Sequence, residues 1–136
     1  MNGKSIEFEF SQIEAELDII QMLKVVNDQN GLDKIQLRAA ASSLHSIYNG
    51  LEKILYIILK NRNITIPSSS KWHTLLLEKA LKEQIITENQ YSSLKEYMGF
   101  RHFFRHNYGF MIDSELITPL LDNAAIIVKQ LKNKFI

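Results

Sequence analysis

Apolar residues in this chain recur at spacings of three and four, and that period leaves little but α-helix for it to adopt. Phe10, Ile13, Leu17 and Ile20 form one such stripe, the pattern that puts side chains on a single helical face. It predicts a first helix of about 20 residues. Asn27, Asp28, Asn30 and Gly31 then break the pattern, since Asn and Asp favour caps and turns and Gly accepts left-handed backbone angles. Asp33 with Gln36 opens a second helix as a capping pair. Its apolar face runs through Leu37, Ala40, Leu44, Ile47, Leu51, Leu55 and Ile58 to an end near Arg62.

The remaining punctuation is equally regular. Pro67 followed by Ser68, Ser69 and Ser70 interrupts helix and offers an N-cap to a short third helix carrying Trp72, Leu75, Leu76 and Ala80. Thr87 and Gln90 form a capping box for a fourth, which passes Leu94, Tyr97, Phe100 and Phe104 and reaches Asn107, with Gly109 as its stop. A fifth carries Ile117, Leu120, Ala124, Ile127 and Leu131. Pro119 is tolerable only in its first turn, so the expected start is near Asp113 or at Thr118. No strand-like alternation competes. The expected fold is all-α, an antiparallel bundle of four to five helices, in a single domain over 1–136, because 136 residues leave too little core for a second.

Composition narrows the function classes. Lysine and arginine total 16 against 15 acids, for a net charge of +1, so any attraction to nucleic acid must come from a local patch. With no cysteine, disulfides, thiolate nucleophiles and the common structural zinc sites drop out. The opening from Met1 to Phe10 has no apolar run ahead of its acids, which does not read as a secretory signal. The longest unbroken apolar stretch runs only from Ile54 to Leu59, far short of the roughly 20 residues that span a bilayer. The reading is of a cytoplasmic protein without a membrane segment.

One segment concentrates chemistry. At about 100° per residue, Phe100, Phe103 and Phe104 share one side of the fourth helix, while Arg101, Arg105 and Tyr108 share another stripe with His102 and His106 beside it. A histidine titrates near neutral pH, so it can take the proton of a ribose 2′-OH or supply one to a departing 5′ oxygen. An arginine offers a planar fork of donors that fits phosphate oxygens and stabilises the charge gathering on a phosphorane. Metal-free RNA cleavage is therefore within the means of this surface. Two plainer readings stand beside it. Cations in a last helical turn complement the macrodipole with no function needed. His102 and His106 are also spaced to share a metal, though no carboxylate or third ligand is near them in sequence.

The run Arg101-His102-Phe103-Phe104-Arg105-His106-Asn107-Tyr108 resembles the Arg-x4-His-x-Tyr signature of the HepT ribonuclease toxins, within the HEPN superfamily, and includes a polar residue directly after the arginine. The stretch from Leu44 to Ile54 and the pair Trp72-His73 are similar to segments of the same group. The likeness extends from about Leu37 to Phe135, and the first helix shares only its general character. The resemblance implies a homodimeric bundle in which the motifs of two subunits meet in a cleft and cleave RNA without metal or other cofactor, with Arg101 and His106 as the catalytic pair and His102 and Arg105 in support. It also implies a type VII toxin–antitoxin pair, in which an MNT-type minimal nucleotidyltransferase antitoxin silences the toxin by transferring AMP to the motif tyrosine, here Tyr108. The alternative is a non-catalytic helical binding partner of such a nucleotidyltransferase. A structural bundle is a third reading, in which Arg101 and His106 would be replaceable.

The second helix adds a polar line, His45, Asn49, Glu52 and Tyr56, opposite Leu44, Ile47, Leu51 and Leu55. Either it is a solvated face or it borders the cleft, where Glu52 could orient Arg101. His73 reads as a buried or capping histidine and is left out of the site. Gly50, inside a helix at a cost of roughly 1 kcal/mol relative to Ala, suggests a close approach by a neighbouring helix.

Overall fold

A computed structural model describes residues 3–105 and 114–136. His106, Asn107, Tyr108 and Gly109, together with the candidate helix start at Asp113, lie outside the described residues. Among the described residues there are five helices and no strand: α1 (Gly3–Asn30), α2 (Lys34–Asn61), α3 (Trp72–Lys82), α4 (Glu88–Arg105) and α5 (Ser114–Phe135). The fold is an all-α helical bundle.

Most boundaries follow their chemical signals. Asp33 accepts from the Gln36 backbone while the Gln36 side chain accepts from the Asp33 backbone, at 2.8 and 3.0 Å. Thr87 and Gln90 close the same reciprocal box at the entry to α4, at 3.0 and 3.1 Å. Each box satisfies two N–H groups that a helix start would leave without partners. Gly31, at φ 74°, supplies the left-handed residue after α1.

Three details differ from the sequence reading. At 28 residues α1 is longer than expected, because Ile6 stands one turn before Phe10 and is buried with it. The serines do not cap α3 by a side chain: Lys71 holds that place, and the Ser69 side chain accepts from the Lys71 backbone at 3.1 Å instead. Pro119 lies beyond the first turn of α5, the earlier of the two expected starts having prevailed. The acceptor left without its usual donor is the carbonyl of exposed Glu115, where water can serve.

Two helix pairs, α1 with α2 and α4 with α5, run antiparallel, as cross-pairs show. Lys53 on α2 pairs with Glu9 on α1 at 2.9 Å, while Gly50, one turn earlier on α2, faces Ile13. Tyr97 on α4 donates to the Leu120 carbonyl on α5 at 2.7 Å, and Gln90 near the start of α4 reaches Gln130 toward the end of α5 at 3.5 Å. Phe10, Ile13, Leu44, Ile47, Leu51, Leu55, Leu76, Leu94, Leu121 and Ala124, from all five helices, are buried in one core.

Gly50 marks the α1–α2 crossing that its sequence position suggested. A Cβ there would lie 2.7 Å from Cγ1 and 2.9 Å from Cδ1 of Ile13, a residue only 2% exposed and so held by its surroundings. Gly50→Ala should therefore lower stability by about 1–2 kcal/mol in urea denaturation, overpacking outweighing the gain in helix propensity. The loss should shrink in an Ile13→Ala background. A neutral Gly50→Ala protein would mean that the two helices separate freely.

Candidate functional site

Three helices bring the site together. Arg101 lies near the end of α4, on the side of that helix facing α2 and α3. Buried Phe100 and partly buried Phe103 and Phe104 fix α4 to the core, with the Phe100 and Phe104 rings stacked at 6.1 Å. The aromatic cluster read from the sequence thus anchors the helix, and Arg101 is half-buried beside it.

Two acceptors hold the guanidinium. Its Nε donates to Asn49 Oδ1 on α2 at 2.7 Å, and its Nη1 lies 3.3 Å from His73 Nε2 on α3. Behind His73, the Nδ1 atom contacts Glu52 Oε2 at 2.8 Å, and the same oxygen accepts the Tyr48 hydroxyl at 2.9 Å. The hydrogens can be placed from this geometry. Arginine only donates and an ionised carboxylate only accepts, so one imidazole tautomer satisfies both neighbours: hydrogen on Nδ1, lone pair on Nε2. Burial, and then the charge of Glu52, push the Tyr48 hydroxyl above its ordinary range. Tyr48 therefore acts as a donor that fixes the carboxylate.

The Asn49 amide extends the network to His45. With Oδ1 taken by Arg101, the Nδ2 group faces His45 Nε2 at 3.1 Å, and the hydrogen of that ring falls on Nδ1. That atom is buried and has no hydrogen-bond partner among the described residues. The His45 ring also packs at 5.2 Å against Phe104. Desolvation first, then the charges of Arg101 and Arg105, lower the His45 pKa from 6.5.

The sign for stability follows from linkage. The unfolded chain takes up the His45 proton near 6.5 and the folded chain only at lower pH, so this group's contribution is whole above that value and is lost as pH falls below it. The thermal midpoint should thus drop more steeply on acidification below pH 6.5 in the wild type than in His45→Gln. Parallel curves would place the acid sensitivity elsewhere.

The expected site residues are distributed unevenly. Asn49 holds Arg101 directly, while Glu52, which is buried, reaches it only through His73. His45 and Asn49 are half-buried, so this part of the polar line on α2 is not a solvated face. Tyr56 is exposed and packs on Trp72 at 5.8 Å. His102 and Arg105 are both exposed on the last turn of α4. Among the described residues no carboxylate pairs directly with Arg101 or Arg105. His106 and Tyr108 lie outside the described residues.

His73 is the residue that sequence reasoning set aside and the structure brings in. One signal was available. His73 is in the first turn of α3, the helix end where a basic side chain gains nothing from the macrodipole, so its presence there pointed to a partner on another element.

A small bundle with an arginine held between an amide and an imidazole defines an all-α class whose polar centre is built from α2, α3 and α4. Within that class, residues 39–136 match the model of a family described as HepT-like protein. The chain belongs to this HepT-like, HEPN-type family. No curated protein and no solved structure matches it. The match begins within α2 and covers every residue of the network.

Proposed function

We propose that the chain is a metal-independent endoribonuclease, the toxin of a toxin–antitoxin pair, with Arg101 and His106 as its catalytic residues. The observation that carries this reading is the state of Arg101: its guanidinium is half-buried, aimed by Asn49 and His73, and paired with no carboxylate among the described residues. A fixed cation of that kind suits a phosphate, whose oxygens accept from a guanidinium in parallel. Arg105, exposed on the same stripe, adds to the local positive field that the near-neutral chain as a whole lacks.

In this mechanism Arg101 binds the scissile phosphate and stabilises the charge that grows on its oxygens. His106, placed by the Arg-x4-His spacing, protonates the departing 5′ oxygen. His102 and Arg105 assist from the last turn of α4, and Glu52 keeps the network around Arg101 in order. Two subunits pair so that their motifs face one cleft, since a phosphate under attack needs groups from more than one direction. Membership in a HepT-like family supports a nucleotidyltransferase antitoxin that transfers AMP to Tyr108. The added anionic phosphate would occupy the ground of Arg101 and Arg105 and exclude RNA. No described helix is long and apolar enough to cross a membrane.

The test is cleavage of an RNA by the purified chain in EDTA. Cleavage should persist, and His106→Ala should abolish it. Loss of activity on chelation, or an active His106→Ala protein, counters the mechanism. Light scattering should return about twice 15.8 kDa, and a monomer mass at micromolar concentration would count against a shared cleft. Co-expression with the antitoxin should add AMP masses that vanish in Tyr108→Phe. Modification that persists in that variant places the regulation on another residue.

A further inference from the structure

We propose that His73 is the general base of this site, taking the proton from the ribose 2′-OH with the Glu52 carboxylate behind it. The proposal rests on the endoribonuclease reading above and adds a second histidine, from α3, to the one in the motif.

The geometry is that of an imidazole prepared to accept a proton at one nitrogen. Glu52 Oε2 holds Nδ1 at 2.8 Å and is itself fixed by the Tyr48 hydroxyl at 2.9 Å, so the lone pair of His73 is confined to Nε2. A carboxylate in that position sets the tautomer and stabilises the imidazolium formed on proton uptake. Trp72 packs against the ring edge-on at 5.2 Å, limiting its rotation. The side chain is 34% exposed, so the ring is not sealed from solvent. Among the described residues, the charged and titratable groups bonded to the ring or to the carboxylate behind it are Glu52 and Tyr48 from α2 and Arg101 from α4.

Without substrate, Nε2 is 3.3 Å from Arg101 Nη1, the longer of the two contacts that hold the guanidinium, the other being 2.7 Å to Asn49. A phosphate arriving at Arg101 competes for the same N–H groups, and the longer contact is the one to yield. Phosphate binding thereby uncovers the base while Asn49 retains Nε. The 2′-OH proton then passes to His73 Nε2, and the O2′ electron pair forms a bond to phosphorus. The P–O5′ bond breaks with its electrons on O5′, which takes its proton from His106. A 2′,3′-cyclic phosphate and a 5′-hydroxyl result, with no oxidant, reductant or co-reactant required.

The two roles open to His73, proton acceptor or mere support for Arg101, separate in one experiment. Single-turnover cleavage of a short oligoribonucleotide is measured against pH for the wild type, His73→Gln and His73→Ala, each checked for a wild-type-like thermal melt. Glutamine keeps an oxygen that Arg101 can donate to but cannot act as a base. His73→Gln should be slower by about 10²-fold or more, should lose the acid limb of the pH–rate profile, and should bind RNA as before. Added imidazoles should restore part of the His73→Ala rate, in order of their basicity. Near-wild-type cleavage by His73→Gln, or an acid limb that survives in it, overturns the base assignment and leaves the ribonuclease reading standing. A folded wild type that cuts no RNA overturns both.

Discussion

Replacing Arg101 with alanine should slow RNA cleavage by about 10²–10³-fold, the loss typical of removing one fixed donor from a developing oxyanion. The helical circular-dichroism spectrum should stay that of the wild type, because α4 is held by Phe100 and its aromatic neighbours and not by the arginine. Some stability is lost with it. Asn49 Oδ1 and His73 Nε2 each lose a donor, but both residues are half-buried and water can replace part of the bonding. Arg101→Lys should recover little activity, since an ammonium cannot engage Asn49 and a phosphate through one planar fork. A folded Arg101→Ala protein that cleaves at the wild-type rate would leave the network without a catalytic purpose.

The largest effect on stability is expected from α1, all of which lies ahead of the family match at residues 39–136. Phe10 is 1% exposed and belongs to the same buried cluster as Leu44, Leu51 and Leu55. Truncating a buried phenylalanine costs about 3–5 kcal/mol through lost transfer energy and the cavity left behind. Phe10→Ala should therefore move the entire unfolding transition while keeping it single and cooperative, as expected if residues 1–136 form one domain. A variant with two transitions, the main one at the wild-type position, would make α1 an appended element.

The legible part of the fold was the part encoded locally. The stripe Phe10, Ile13, Leu17, Ile20 and the two capping boxes at Asp33 and Thr87 each depend on residues within a turn or two of one another, so they can be read without knowing what packs where. The early start of α1 lay on the same stripe, since Ile6 precedes Phe10 by the spacing that joins Ile13 to Leu17, and Ile6 is buried with Phe10 in the core. Pro119 misled because its missing N–H matters less where the residue four positions back, Glu115, is exposed.

The site was legible by half. Arg101 followed from the motif, and the wheel placed Asn49 and Glu52 on one side of α2. Neither could reveal that α3 would cover that side, burying Glu52 and inserting His73 between it and Arg101. The contact joins residues on three helices, and no periodicity within one helix encodes it. His45 is covered by α4 instead, through Phe104, and its lowered pKa comes from burial and two arginines far away in sequence.

The most direct test of the central claim is the chemistry of the cut ends. An oligoribonucleotide incubated with the purified chain in EDTA, followed by mass analysis of the fragments, should yield a 2′,3′-cyclic phosphate on one piece and a 5′-hydroxyl on the other, with no cut where the 2′-OH is replaced by hydrogen. Fragments ending in 3′-hydroxyl and 5′-phosphate, or cleavage at a 2′-deoxy position, would contradict attack by the ribose hydroxyl and with it the roles given to Arg101, His106 and His73.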